Sequence, residues 1–179
     1  YGYANPAGPT NGIAVLANLM GFAVVDVNMR GTGCSGGAFN FFEPLQDLDG
    51  YDVIETIAHQ PWVKGHKVGM MGISYGGISQ LFTAQLRPPS LAAISPLSVI
   101  DATATTLYPG GIRNDGFFRV WATGLRVQRR TSTNLRREQK RRPLRDAWWA
   151  ARDRDLEAIA TPTLVCGSFS DHDLPSRGS

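Results

Sequence analysis

A serine flanked by glycines, in the pattern Gly72-x-Ser74-x-Gly76, is the residue whose surroundings most clearly suggest chemistry. An apolar run at 68–71 precedes it and a segment of helical character follows, which predicts a sharp turn between a buried strand and a helix. Such a turn holds the serine at strained backbone angles and lifts its hydroxyl clear of the sheet, at the positive end of the helix. The predicted chemistry is acyl transfer through a serine ester.

A serine nucleophile needs a base, and the base needs a carboxylate that orients it. In the α/β-hydrolases, where this turn is called the nucleophile elbow, the chain order is serine, then aspartate or glutamate, then histidine. The acid follows a late strand in that order. The apolar run at 163–166 leads into Ser168-Phe169-Ser170-Asp171, which makes Asp171 the candidate acid and Asp173 the alternative.

The three histidines fit the base poorly. His59 and His66 precede Ser74, on the wrong side of the chain order, and we expect both at the surface near a helix end and a turn. His172 directly follows the candidate acid and would have to fold back on its neighbour. We therefore expect the catalytic histidine beyond Ser179, outside this sequence.

An oxyanion hole needs two donors aimed at the position where negative charge develops. The backbone N–H of Tyr75, directly after the nucleophile, is the first candidate. The second donor should come from a loop after an early strand, and Tyr1-Gly2-Tyr3 lies in the corresponding part of the chain. A phenol hydroxyl is a suitable donor there.

Helical and strand patterns alternate along the rest of the chain. Helices are predicted at 10–20, 45–59 and 76–86, strands at 22–27, 67–71, 91–94 and 162–166, and a glycine-rich loop at 31–37. This alternation indicates an α/β fold with a mostly parallel sheet and helices on both faces. We expect three parts: 1–100 as the first part of the core, 101–160 as a cap-like helical insertion, and 161–179 as the return to the core. We expect the sheet to be incomplete at both ends.

The positive charge is concentrated in one segment. The chain of 179 residues has a formal net charge of +3, yet residues 126–145 hold nine of its 18 Lys and Arg and one acid, Glu138. Without interleaved aromatic residues or a recognised binding fold, the segment does not indicate nucleic-acid binding. It has too few apolar residues for an amphipathic cap helix. A solvated helix, a disordered loop or a disturbed reading frame would each account for it.

Composition argues against several other classes of protein. No run approaches 18 apolar residues, so no membrane span is predicted. Cys34 and Cys166 are too few for a disulfide framework or a metal site, and Cys166 is expected as a buried thiol. We predict no metal and no cofactor, take the cytoplasm as the default compartment, and make no prediction of oligomeric state.

A set of motifs resembles the family of Xaa-Pro dipeptidyl-peptidases and cocaine esterases, which includes glutaryl acylases and α-amino acid ester hydrolases. The motifs are Asp26-x-x-x-Arg30-Gly31-x-x-x-Ser35-x-Gly37, Gln60-Pro61-Trp62-Val63-x-Gly65, Lys67-Val68-Gly69-Met70-x-Gly72-Ile73-Ser74-Tyr75-Gly76-Gly77 and Tyr108-Pro109-Gly110-Gly111. The resemblance implies an α/β-hydrolase fold, Ser74 as nucleophile and Asp171 as acid. It implies a tyrosine hydroxyl as the second oxyanion donor, with Tyr1 as the better match and Tyr3 as the second choice.

The resemblance also implies a substrate class, namely small esters, amides or short peptides. A dipeptidyl-peptidase needs an anion for the free amino group of its substrate, and Asp101 and Asp115 are available for that role. Asp26 and Arg30 are expected to shape their loop. The alternative is a non-catalytic remnant or pseudo-enzyme, because the expected histidine is missing from this chain.

Overall fold

The computed structural model describes residues 12–100, 102–116 and 133–168. The helices are α1 (Gly12–Leu19), α2 (Pro44–Ala58), α3 (Tyr75–Ala84), α4 (Thr103–Leu107), α5 (Leu135–Arg141) and α6 (Ala147–Ala150), and the strands are β1 (Val68–Ile73) and β2 (Leu91–Leu97). Short 3-10 turns occupy Lys64–His66, Pro109–Gly111 and Leu156–Ala158. Within these residues no helix has the length and apolar character needed to cross a bilayer.

A parallel sheet lies at the centre of the described fold. Strands β1 and β2 pair in parallel, with Val68 opposite Leu91 and Ile73 opposite Leu97, and α3 makes the crossover between them. A third segment runs parallel on the far side of β2, where Thr163 bridges to Ile94 and Cys166 to Leu97. The predicted α/β class and parallel pairing are therefore confirmed.

Helices α2 and α3 cover one face of this sheet and enclose the core. The helices approach closely at Gly50, where an added Cβ would come within 2.1 Å of Thr83 Oγ1. On the opposite face Met71 and Ile73 of β1 and Leu164 of the third segment remain exposed. Among the described residues only one face of the sheet is covered, whereas the sequence predicted helices on both.

The predicted strand at 22–27 is not formed. This segment is assigned to neither a strand nor a helix, and its side chains, including Phe22, Val25 and Val27, are largely exposed. A strand needs a neighbouring ladder of N–H and C=O groups, and no described residue offers one to this segment. The apolar, branched composition of 22–27 predicted a strand, but it does not show which segment would pair with that strand.

The predicted strand at 162–166 pairs with the sheet at fewer positions than a full strand would. It forms two isolated bridges, and its Leu164, Val165 and Cys166 side chains are exposed. The expectation of a buried Cys166 thiol is wrong, because the segment is an outer member of the described sheet and its apolar side chains have no helix above them.

The basic segment forms a packed helix in its described part. In α5, Leu135 is 1% exposed and Gln139, one turn later, is 2% exposed. The backbone carbonyl of Gln139 accepts a bond from the Tyr108 hydroxyl at 2.5 Å, and its side chain donates to the carbonyl of Leu107 at 3.4 Å. A hydrogen-bonded glutamine thus takes a position that the periodicity argument reserved for an apolar residue, and the expectation that this segment cannot pack is wrong for 135–141.

Candidate active site

Ser74 lies at the turn between β1 and α3, at the carboxyl end of the sheet. Its backbone has φ 58° and ψ −124°, a region rarely occupied by a residue with a side chain. Its N–H donates to the carbonyl of Leu97 at 3.0 Å and its carbonyl accepts from Ile78 N–H at 2.8 Å. The side chain does not cap α3. The backbone is therefore fixed on both sides, and the hydroxyl is not used to start the helix.

The glycines around Ser74 have different structural roles. A Cβ on Gly72 would lie 2.8 Å from the carbonyl oxygen of Gly76, and a Cβ on Gly77 would lie 2.7 Å from the carbonyl oxygen of Leu97. A Cβ on Gly76 would meet no described atom within 4 Å. The two flanking glycines of the motif are therefore not equivalent, and the close approach of the helix start to the sheet depends on Gly72 and Gly77.

Tyr75, the first residue of α3, is held by aromatic and polar contacts. Its ring is stacked on Phe42 with a centroid separation of 5.2 Å and an interplanar angle of 16°, and Phe39 contacts it at 5.6 Å. Its hydroxyl donates to Gln46 Oε1 at 3.0 Å, and the same oxygen accepts from Phe42 N–H at 3.0 Å. Gln46 on α2 therefore joins the residue after the nucleophile to the turn at Phe42.

Gln80 ties the start of α3 to the sheet. Its side chain is fully buried, donates to the carbonyl of Gly76 at 2.8 Å and accepts from the N–H of Ser95 at 2.9 Å. Because a buried polar group is costly unless bonded, this pair of bonds fixes the angle at which the helix leaves the elbow.

Two consecutive residues near Tyr75, Phe41 and Phe42, have left-handed backbones with φ 50° and 58°. Their carbonyls accept hydrogen bonds from two buried arginines. Arg152 Nε donates to the carbonyl of Phe41 at 3.1 Å, and Arg154 Nη2 donates to the carbonyl of Phe42 at 3.1 Å. Sequence analysis missed both arginines. They alternate with Asp153 and Asp155 outside the basic segment, a pattern typical of a solvated loop.

Each of these arginines has further partners. Arg154 forms an ion pair with Asp47 at 2.9 Å, with side chains that are 1% and 8% exposed. Burial raises the pKa of Asp47 to about 6, against the opposing effect of the Arg154 charge and of bonds from Arg154 and Gln85. Burial lowers the pKa of Arg152 to about 10, and its guanidinium lies 3.5 Å from the ring centroid of Trp148.

The predicted base does not come from the described histidines. His66 precedes β1, whereas Ser74 follows it, and the six residues of this strand span about 20 Å. His59 lies beside His66, with a ring centroid separation of 6.0 Å. Neither imidazole can contact the Ser74 hydroxyl. The described residues hold no group of three or more His, Cys, Asp and Glu side chains placed to bind a metal.

Several predicted residues lie outside the described part of the chain. They are Tyr1, Tyr3, Asp101, Asp171, His172 and Asp173. The segment leading to Asp171 is described up to Ser168, and Ser98 N–H donates to the carbonyl of Cys166 at 2.9 Å. It therefore runs in the same direction as β1 and reaches the carboxyl edge of the sheet, the edge at which Ser74 lies.

Two of the remaining residues, Arg30 and Asp115, are ion-paired. Arg30 forms a bidentate pair with Asp49 of α2 at 2.5 and 2.6 Å, which ties the glycine-rich loop to that helix. This agrees with the loop-shaping role implied for Arg30. Asp115 pairs with Arg113 on an exposed surface.

The fold defines an α/β protein whose relatives are hydrolases. A CocE/NonD family hydrolase from Staphylococcus aureus matches with a TM-score of 0.78 and 34% identity, over 84% of this chain and 28% of that chain. An aminopeptidase from a marine sediment archaeon matches with a TM-score of 0.52 and 19% identity, over 77% of this chain and 30% of that chain, a likeness of fold alone.

The family follows from the sequence comparison. A family model described as X-Pro dipeptidyl-peptidase (S15 family) matches residues 15–178, and the chain belongs to this family. Proteins of Mycobacterium bovis and Mycobacterium tuberculosis named "putative serine esterase" are each 34% identical to it over 103 residues, 56% of this chain. The chain spans 16% of the length of each of these relatives.

Proposed function

We propose that the full product of the gene encoding this chain is a serine hydrolase of carboxylic esters or amides, with Ser74 as nucleophile. The backbone of Ser74 carries the proposal: a non-glycine residue at φ 58° and ψ −124°, between a parallel strand and the first turn of a helix. Strain of this kind persists only where the surroundings enforce it, and it clusters at active sites. Family membership supports hydrolase chemistry.

In the proposed reaction Ser74 Oγ attacks the substrate carbonyl carbon while a histidine outside the described residues takes its proton. The tetrahedral oxyanion accepts hydrogen bonds from the N–H of Tyr75 and from a tyrosine hydroxyl, Tyr1 or alternatively Tyr3. The leaving alcohol or amine departs with the proton from the imidazolium. Water, deprotonated by the same histidine, then attacks the serine ester and releases the acid. Asp171 would orient the imidazole.

Two features support the assignment of Asp171 and the division of the chain. The segment before it runs parallel beside β2 to the edge that holds Ser74. Residues 101–160 would be an insertion between two sheet segments of the chain, because 163–166 pairs with β2 after it. Leu135 and Trp149 of this insertion are buried. Asp173 is the alternative acid, and separate Asp171→Asn and Asp173→Asn variants distinguish the two by the loss in kcat.

The test of the nucleophile is Ser74→Ala in the full gene product, with an aryl acetate as substrate. We expect turnover to fall by about 10⁴-fold or more. Ser79→Ala is the matched control: it lies on the same helix, and its hydroxyl donates only a long 3.4 Å bond to the carbonyl of Gly76. Mass spectrometry after treatment with a fluorophosphonate should show one phosphonyl group on Ser74, formed as the serine oxygen displaces fluoride. Wild-type turnover in Ser74→Ala refutes the proposal.

A separate experiment determines the substrate class of the proposed hydrolase. Hydrolysis of an Ala-Pro anilide indicates a dipeptidyl-peptidase, and hydrolysis of simple aryl esters alone indicates an esterase, the function in the names of the two mycobacterial relatives. The competing proposal is a non-catalytic remnant, motivated by the position of His59 and His66 at the far end of β1 from Ser74. Inactive full gene product with no labelling of Ser74 would favour it.

A further inference from the structure

We propose that Arg152 and Arg154 are positioning residues for the nucleophile elbow, acting through the turn at Phe41 and Phe42. The inference rests on the proposed function of Ser74. Both arginines come from the predicted insertion, far along the chain from the elbow. They therefore connect that insertion to the residues beside the nucleophile.

The first link joins the arginines to the turn. Arg152 donates to the carbonyls of Asn40 at 3.5 Å and Phe41 at 3.1 Å, and Arg154 donates to the carbonyl of Phe42 at 3.1 Å. Phe41 and Phe42 are both left-handed, a conformation that residues with a side chain rarely adopt in succession. Charge-assisted bonds to these carbonyls select that conformation over the extended one.

The second link joins the turn to the elbow. The ring of Phe42 is stacked on that of Tyr75, and Gln46 Oε1 accepts from both the backbone of Phe42 and the hydroxyl of Tyr75. Tyr75 is covalently bound to Ser74 and begins α3. A displacement of Phe42 therefore moves Tyr75, and with it the direction of the Tyr75 N–H and of the Ser74 side chain.

The arginines are themselves rigidly held, which suits a positioning role. The Arg154 guanidinium lies 3.7 Å from the ring centroid of Phe82 and pairs with Asp47. Arg152 lies over the Trp148 ring and donates to the Trp148 carbonyl at 2.9 Å. Because each guanidinium group is held by these other contacts, a movement of the turn at Phe41 and Phe42 would break its hydrogen bonds to the arginines.

The test uses variants that break the bonds to the turn while limiting the loss of stability. Arg152→Lys keeps the charge but loses the planar fork that reaches two segments at once. Arg154→Met alone would strand the Asp47 charge, so it is paired with Asp47→Leu, since replacing a buried ion pair by apolar residues is often neutral. Arg145→Met is the control, because this exposed arginine pairs with Asp153 and does not contact the turn.

Two measurements on the full gene product separate positioning from general stability. At a temperature where urea titration shows every variant fully folded, we expect kcat for an aryl ester, and the rate of phosphonylation of Ser74, to fall at least tenfold. KM should stay within about twofold, as for an interaction that matters in the transition state. Unchanged kcat in folded Arg152→Lys and in the double variant overturns the inference.

The second measurement does not depend on activity. The Tyr75 ring protons lie over Phe42 and should be shifted by its ring current, and this shift should change in both variants but not in Arg145→Met. Unaltered Tyr75 resonances refute positioning even if the protein is an active hydrolase. If the Tyr75 resonances change but the wild-type full gene product hydrolyses no substrate, the positioning by the arginines is supported and the proposed function is rejected.

Discussion

Substituting the two glycines of the Gly72-x-Ser74-x-Gly76 pattern by alanine should have opposite effects on stability. At Gly72 the new methyl group would lie 2.8 Å from the carbonyl oxygen and 2.9 Å from the carbonyl carbon of Gly76. Carbon contacts are optimal at about 3.5–4.0 Å, so strand and helix must separate by roughly half an ångström or more. At Gly76 the methyl group would meet no described atom within 4 Å.

The magnitudes follow from the atoms involved. Overpacking in a well-packed site costs about 1–3 kcal/mol, and the upper part of this range applies to Gly72→Ala because the contacting atoms are backbone. Alanine within a helix is favoured over glycine by up to about 1 kcal/mol, so Gly76→Ala should be neutral or slightly stabilising. The two variants should therefore differ by about 2–4 kcal/mol in the free energy of unfolding.

Equilibrium urea unfolding, followed by circular dichroism at one pH and temperature, measures this difference. Gly77→Ala serves as a second crowded site, because its methyl group would lie 2.7 Å from the carbonyl oxygen of Leu97. Wild-type stability in Gly72→Ala would show that the strand and helix can separate freely. A loss of more than about 1 kcal/mol in Gly76→Ala would show that the space beside Gly76 is filled. Either result refutes the assignment of separate roles to the two glycines.

Two further predictions concern buried groups. The pKa of Asp47 is raised from 3.8 to about 6 in the folded chain, so between these pH values the folded state binds a proton that the unfolded state does not. The free energy of unfolding should therefore rise as pH falls from 6 towards 4. This rise is at most about 3 kcal/mol, and it should be absent in Asp47→Asn. Identical profiles of unfolding free energy against pH for the wild type and Asp47→Asn, from pH 4 to 7, would contradict this prediction. Trp149 is 1% exposed and donates to the Arg142 carbonyl at 3.0 Å, so Trp149→Ala should cost about 3–5 kcal/mol in the same urea assay. Trp62→Ala, at a side chain that is 56% exposed, should change stability by less than about 0.5 kcal/mol, and equal effects of the two would refute the packing argument.

Local sequence signals predicted the elements that position Ser74. Helices α2 and α3 form within a few residues of the predicted bounds, 45–59 and 76–86. Each is followed by proline, at Pro61 and at Pro88-Pro89, a residue that cannot continue a helix. The strands at 67–71 and 91–94 form as β1 and β2. These signals succeed because capping, periodicity and turn chemistry act over a few residues of chain.

Burial and long-range pairing were not predictable in the same way. The run at 22–27 has the composition of a buried strand, yet the ladder and the covering helix that would bury it are contributed by other segments. Arg154 pairs with Asp47 across 107 positions of sequence. No spacing rule distinguishes this buried arginine from an exposed one such as Arg145. A solvated helix was one alternative for the basic segment, but the packing of the helix at 135–141 was missed because a bonded Gln139 fills an interior position.

The left-handed residues connect these long-range contacts to the candidate site. Phe41, Phe42 and Ser74 each occupy a sparsely populated backbone region at a cost of about 1–3 kcal/mol. A domain of this size is stable by only about 5–15 kcal/mol in total, so such costs persist only where surrounding contacts enforce them. Hydrogen bonds with the two arginines and with Gln46 are among the contacts that hold Phe41 and Phe42, and backbone hydrogen bonds with Leu97, Gly77 and Ile78 hold Ser74. Tyr75 joins the two strained regions, which is why we expect a change at Arg152 or Arg154 to alter the reactivity of Ser74.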